Sequence, residues 1–345
     1  MPTLNADQLH AVASQILRAA GASPEDANVV AGELRDANLV GHDSHGVIRL
    51  MQYVGHIEQG HVHPGATIEV LKDGPSHALL DGHFSFGQVC ATRALAVAMG
   101  KARAVGTSTV MISDAYHVGR VGSYTHKAAM AGFVAMCAVN SPGAGGVAPF
   151  GGIERRMGTN PISIAAPWGD SALVLDMTTS ATAEGKLRVA RQKSEPVPEG
   201  WIIDREGNPS TNPEDFYAGG ALLPLGGPLG YKGFGLGVMI DVLCGVLTGK
   251  GLCRQDLPPG PNGLWLQVLD IERFVTRSDY DAMLGRYVAH LKSSPKLPGV
   301  KEILMPGEIE QRHYAQRIKD GVSVPDETWR QINELAARLG VVLQV

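Results

Sequence analysis

The chain has 345 residues, 44% of them hydrophobic and 19% charged, with a formal net charge of -4 and a pI near 6.3. That length calls for one large domain with an appended lobe, or for two domains, and the balance excludes collagen-like, low-complexity and natively disordered chains. Lysines and arginines are scattered rather than interleaved with aromatics, which argues against nucleic acid as a partner.

In chain order, Asn5 with Gln8 forms a capping-box pattern, Leu4 and Leu9 are spaced for a hydrophobic staple, and Leu9, Val12, Ala13, Ile16 and Leu17 make a helical stripe that Gly21 ends. Ser23-Pro24-Glu25-Asp26 caps a second helix reaching about Val40, and Val47 to Glu58 reads as a third. From Ile68 the period changes. Ile68 to Leu71 and His77 to Leu80 read as strands, with Asp81-Gly82 as a turn, and Gln88 to Ala104 as a strong helix. Thr107 to Ile112, a helix from Val121 to Met130, and Phe133 to Val139 give a strand, helix, strand succession. Ile162 to Ala166 and Ala172 to Leu175 add strands, and Ala183 to Arg191 adds a helix. A turn-rich region from Glu195 to Gly230 precedes an apolar, Gly-rich helix from Gly233 to Leu247 and a strand from Leu264 to Leu269. The tail from Glu308 to Leu339 is helical, with Pro325 in the first turn of its last segment. Helical ends around a sheet-containing middle predict an α+β protein in which both termini share a lobe: residues 1–72 with 308–345, against a sheet domain of 73–307.

Several familiar functions fail on their own motifs. The longest apolar stretch, Phe234 to Thr248, is interrupted by Asp241 and too short to span a bilayer, so no membrane role is expected. Met1-Pro2-Thr3-Leu4-Asn5 carries no secretory pattern, and Cys90, Cys137, Cys244 and Cys253 have no Cys-x-x-Cys spacing, which together predict a reducing cytoplasm. Gly143-Ala144-Gly145-Gly146-Val147-Ala148 matches a dinucleotide fingerprint in letters only: Pro149-Phe150-Gly151-Gly152 follows, where a helix would have to open toward the pyrophosphate. Gly245 to Gly251 lacks the Ser or Thr of a phosphate loop after Lys250.

The cluster that carries chemistry is Asp43-Ser44-His45-Gly46-Val47-Ile48-Arg49, where a hydroxyl, an imidazole and a guanidinium fall close together. This is a kit for binding a carboxylate and moving a proton beside it; a capped turn between helices would use the same residue types. With Tyr53, His117-x-Gly119-x-x-Gly122, Gly158-Thr159-Asn160-Pro161, Asp176-Met177-Thr178-Thr179-Ser180 with Gly185-Lys186, Tyr231-Lys232-Gly233, and Pro306-Gly307-Glu308, it makes six motifs in order along nearly the whole chain. In these the chain resembles the type 2 malate/L-lactate dehydrogenase family, whose members reduce 2-keto acids or cyclic imino acids with NAD or NADP. The resemblance implies a non-Rossmann nucleotide-binding fold on a largely antiparallel mixed sheet, beside a helical lobe, and a homodimer.

Under that resemblance, Arg49 anchors a substrate carboxylate, and Tyr53 and Thr159 touch the substrate. His117 and the pair Ser44 and His45 are the candidates for proton transfer, with the choice between His45 and His117 left open. The cofactor would lie against His117, Val118, Gly119, Arg120 and Val121, against Asp176, Met177 and Thr178, against Glu184, Gly185 and Lys186 at a helix entrance, and against Lys232, Gly307 and Glu308. No metal is expected. Asp114 and Tyr116 just ahead of His117, and Ile164 farther on, depart from the family pattern, so malate and lactate are not carried over as substrates. A metal-dependent hydrolase built on His42, His45, His117 and Asp176 is the alternative from another class, and a catalytically silent interaction protein a further one.

Overall fold

The computed structural model describes residues 1–141, 145–252 and 261–343. The chain opens with a two-residue strand β1 (Thr3–Leu4) and helices α1 (Ala6–Ala19), α2 (Pro24–Leu39) and α3 (Leu50–Glu58). Asn5 and Gln8 close a reciprocal capping box on α1, and Ser23 Oγ caps α2 at the Asp26 amide. The stripe Leu9, Val12, Ala13, Ile16 and Leu17 is fully buried. Between α2 and α3 the chain makes two 3-10 turns, Asp43–His45 and Val47–Arg49, so the expected third helix is α-helical only from Leu50.

Next come β2 (Glu69–Asp73), β3 (His77–Asp81), α4 (Gly87–Val105), β4 (Thr107–Ala115), α5 (Gly122–Met130), β5 (Phe133–Asn140), β6 (Ile162–Trp168) and β7 (Ser171–Met177). Helix α6 (Glu184–Lys193) is followed by β8 (Ile202–Ile203), β9 (Pro209–Ser210), α7 (Pro213–Tyr217) and β10 (Ala221–Leu222), which organise the stretch read as turn-rich. The chain ends with α8 (Tyr231–Asp241), β11 (Asn262–Asp270), α9 (Arg277–Lys292), α10 (Glu308–Asp320), β12 (Val322–Ser323) and α11 (Asp326–Arg338). A π-helical turn, Val242–Val246, continues α8. Pro325 precedes α11 as its N-cap rather than lying in its first turn.

The main sheet has seven strands in the order β2-β3-β4-β11-β5-β6-β7, and within it only β3 and β4 run parallel. The protein is therefore α+β with a mostly antiparallel mixed sheet. β11, late in sequence, lies at the centre between β4 and β5. Helix α4 packs on this sheet through a stripe of small residues, Ala91, Ala94, Ala98 and Ala102, which lets its backbone approach Val110, Leu266 and Val268 closely. A second core joins α1, α2 and α3 to Val322, Val324, Ile332 and Leu335 from the other end of the chain, and β1 pairs with β12.

Helix α9 has no counterpart in the sequence reading. Val288 is its only buried residue, so it shows no apolar stripe; the legible signal was Thr276 capping the Asp279 amide. The Gly143–Ala148 loop lies partly outside the described residues, as does Cys253. Its described part makes bridges, with Val147 pairing to Met157 and to Leu222, and opens no helix.

Candidate active site

The loop between α2 and α3 is held from two sides. Asn38, at the end of α2, donates through Nδ2 to Asp43 Oδ1 (2.7 Å) and accepts the Val47 amide on Oδ1 (2.9 Å). From α10, Arg317 donates to both carboxylate oxygens of Asp43 (2.7 and 3.0 Å), and Glu310 meets His42 at 3.3 Å. Asp43 is thus a brace. Gly46 is required by space rather than by backbone conformation, because a Cβ there would sit 2.2 Å from Asn38 Oδ1. Gly46→Ala must therefore expel the Asn38 side chain, and we expect it to cost about 1–3 kcal/mol of stability by overpacking, together with activity, read by thermal unfolding and steady-state assay.

This brace presents Ser44, His45 and Arg49. Ser44 Oγ lies 3.1 Å from His45 Nδ1. Arg49 donates through Nε to the Ser44 carbonyl (2.6 Å) and through Nη1 to Gln52 Oε1 (2.6 Å), and its remaining N–H groups have no partner among the described residues. The loop after β4 brings His117 alongside: its ring stacks on that of His45, with centroids 5.7 Å apart and planes 11° from parallel. Tyr53, buried on α3, accepts from Gln88 Nε2 (2.7 Å), and its hydroxyl is 2.8 Å from His117 Nδ1. With Tyr53 accepting from Gln88, its own proton is available to Nδ1, the arrangement that goes with a neutral His117 protonated on Nε2.

The electrostatics follow from burial beside a cation. Burial, and then the Arg49 guanidinium, lower His45 to about 3 and hold His117 well below the ordinary histidine value. Burial raises the Tyr53 phenol to about 12. Both imidazoles are neutral at pH 7, next to an arginine with donors to spare.

The residues expected to meet a cofactor surround this cluster. Val118 donates its amide to Asn262 (3.2 Å), and Gly119 adopts φ +77°. Arg120 is buried and pairs with Asp176 (3.2 Å), which also accepts the Gly122 amide (3.1 Å); Val121 is buried. This ties the His117 loop to the end of β7, where Met177 and Thr178 follow, with Thr178 Oγ1 donating to the Ser180 carbonyl (3.2 Å). Thr159 accepts on its carbonyl from the amide and hydroxyl of Thr179 (3.0 and 3.1 Å). Gly185, in the first turn of α6, abuts Ser44: a Cβ on it would be 3.2 Å from Ser44 Cβ. Glu184 is engaged by Arg188 (2.6 Å) and Tyr217 (2.8 Å), and Lys186 lies over the Trp201 ring at 5.8 Å. Lys232 is exposed in the first turn of α8. Gly307 (φ +93°) packs against Val174 of β7, and Glu308 closes its own turn by accepting the Met305 amide and Lys292 (both 2.6 Å). Among the described residues no three His, Cys, Asp or Glu side chains converge as a metal set, and His42 turns to Glu310, so the hydrolase reading gains no support.

Gln52, Gln88, His56 and Tyr116 complete the cluster without having been singled out as its partners. Only Gln52, three residues after Arg49 on one helical face, carried a sequence signal.

Comparison with known proteins adds the class. The malate dehydrogenase of Pyrococcus horikoshii is 39% identical over 343 residues, covering 97% of this chain and 95% of that one. The solved sulfolactate dehydrogenase of Methanocaldococcus jannaschii superposes with a TM-score of 0.90 at 31% identity, covering 99% and 98% of the two chains. The delta1-piperideine-2-carboxylate reductase of Pseudomonas syringae pvar. tomato gives 0.87 at 29% identity, covering 97% and 100%. Fold and relatives define the class as dehydrogenases acting on hydroxy acids. Within that class the chain belongs to the malate/L-lactate dehydrogenase family, whose model matches residues 4–333.

Proposed function

We propose that the protein exchanges a hydride between NAD or NADP and C2 of a 2-hydroxy/2-keto acid. The observation that carries this reading is the Arg49 guanidinium, with donors unspent, beside two stacked neutral imidazoles. Arg49 anchors the substrate carboxylate, since a planar fork fixes its orientation as well as its position. His117, or His45 with Ser44, gives the proton to the developing alkoxide in reduction and takes it in oxidation. Thr159 is assigned to the same substrate space, whereas Tyr53 is fully buried with its hydroxyl on Gln88 and His117 and so acts on the substrate through His117 Nδ1 rather than by direct contact.

The nicotinamide supplies the hydride. The residues that would hold it are Glu184, Gly185 and Lys186 at the α6 entrance, where Gly185 abuts Ser44, the loop 117–121, Asp176, Met177 and Thr178, and Lys232, Gly307 and Glu308. We read the nucleotide domain as residues 73–307 with a non-Rossmann topology, in line with the single parallel pair in its main sheet. Residues 1–72 and 308–345 form the helical lobe, in line with the core shared by the two ends. A homodimer in the cytoplasm is the expected working form; no described helix is long and apolar enough to cross a membrane.

A cyclic imine carboxylate is the second reading. It is favoured by the likeness to the piperideine-carboxylate reductase, because such a ring also sets a carboxylate beside a reducible double bond. One screen decides. NADH and NADPH are each crossed with a panel of 2-keto acids and cyclic imine carboxylates; turnover is expected with at least one nucleotide and one 2-keto acid. Turnover only with imines selects the second reading, and absence of both activities and of nucleotide binding defeats both.

A further inference from the structure

A chain of hydrogen bonds runs from Arg49 through Gln52 and Tyr116 to His56, and its direction is set from one end. Arginine can only donate, so Gln52 Oε1 is the acceptor for Arg49 Nη1 (2.6 Å). That orients the amide: Gln52 Nε2 faces the Tyr116 hydroxyl and donates to it (3.3 Å). With its oxygen accepting from Gln52, the Tyr116 proton goes to His56 Nδ1 at 2.7 Å. In this arrangement His56 accepts the Tyr116 proton as the neutral tautomer with its own proton on Nε2. Tyr116 is buried, wedged edge-on between the rings of Tyr53 (5.6 Å) and His56 (5.5 Å), so the hydroxyl cannot swing to another partner.

We propose that Tyr116 is a positioning residue for the carboxylate clamp, fixing the Arg49 guanidinium through Gln52 with His56 as the terminal acceptor. This rests on the reading of Arg49 as the carboxylate anchor. The physical reason is orientational. An arginine side chain has several rotatable bonds, and a bidentate grip needs the plane of the fork to be set before the acid arrives. The Ser44 carbonyl holds Nε, and Gln52 holds one terminal nitrogen; without the Tyr116 hydroxyl the Gln52 amide loses the contact that stops it rotating. None of these hydrogen bonds engages His117, and Tyr116→Phe keeps the ring that stands edge-on to His117 at 6.5 Å. The device therefore acts on binding of the acid and not on hydride transfer.

The test uses the full-length protein and two readouts: steady-state constants for the best 2-keto acid, and the dissociation constant of oxamate, a non-reducible mimic, in the presence of reduced nucleotide. Tyr116→Phe removes one neutral hydrogen bond at each side of the hydroxyl. We expect the Michaelis constant and the oxamate dissociation constant to rise roughly 3- to 10-fold, with kcat and nucleotide affinity within about 2-fold. In a Gln52→Ala background the same substitution should add nothing, because Tyr116 acts through Gln52. Should Tyr116→Phe fold poorly, His56 provides the parallel arm: His56→Leu should weaken oxamate binding, while His56→Gln, which retains an acceptor for the tyrosine proton, should not. Unchanged acid affinity in Tyr116→Phe, a full additional loss in the Gln52→Ala background, or a parallel fall in kcat and nucleotide affinity overturns the inference. Oxamate binding weakened by Tyr116→Phe in a protein that reduces no 2-keto acid would uphold the clamp and defeat the proposed reaction. Absence of both turnover and oxamate binding would defeat the two together.

Discussion

Arg49→Ala should raise the Michaelis constant for the acid substrate by about 100-fold or more, with the affinity for NAD(P)H nearly unchanged. The size follows from what is lost: a charge-assisted bidentate contact in a partly buried site, for which water is a poor substitute. The selectivity follows from where Arg49 points, toward Ser44 and Gln52 beside the stacked imidazoles. Loss of the guanidinium charge has a second effect, on the imidazoles. After burial, Arg49 is the next cause that lowers both His45 and His117, so its removal should raise the pKa of both rings, measurable by NMR titration of the imidazole protons. Equal losses of acid and nucleotide binding would make Arg49 a structural residue.

His117→Ala should lower turnover by roughly 100-fold or more if His117 is the acid-base group, and wild-type turnover in that variant would transfer the role to His45. The pH dependence carries a sign. His117 lies well below the ordinary histidine value, so in free enzyme the base form is already present at neutrality. Oxidation of a hydroxy acid should therefore hold its kcat/KM on acidification through pH 6.5, where an unperturbed imidazole would begin to lose it. Reduction needs a proton that the free imidazole does not hold, so its kcat/KM should fall with rising pH across neutrality, about tenfold per unit. An incoming carboxylate offsets the guanidinium charge that helps depress His117, so the ring becomes a better proton carrier when the substrate needs one.

Much of the scaffold was readable from local rules. Capping at Asn5 and Ser23, the stripe on α1 and the alternation of the central strands depend on neighbours a few residues away, and each yields an element close to its expected bounds. Helix α9 escaped because a surface helix with one buried residue has no stripe to read. The third helix began late because Asn38 and Arg317 hold the preceding loop in 3-10 turns, and Arg317 lies 274 residues beyond Asp43.

The candidate site divides in the same way. Residue type and spacing singled out the hydroxyl, imidazole and guanidinium of Ser44, His45 and Arg49, because carboxylate binding and proton transfer need those groups, whereas His117 and Tyr53 were marked only by the family resemblance; Arg49 at the end of a 3-10 turn and Gln52 in the first turn of α3 are aligned locally. The tertiary structure decided which of them meet. Tyr53 reaches His117 across 64 residues, and Asp176 joins Arg120 across the ends of two separate segments. Such partners are selected by strand order, register and the seating of α3 in the helical core beside Phe86 and Tyr116. These are global outcomes of burying the apolar faces, and no local pattern encodes which side chains they bring within hydrogen-bond reach.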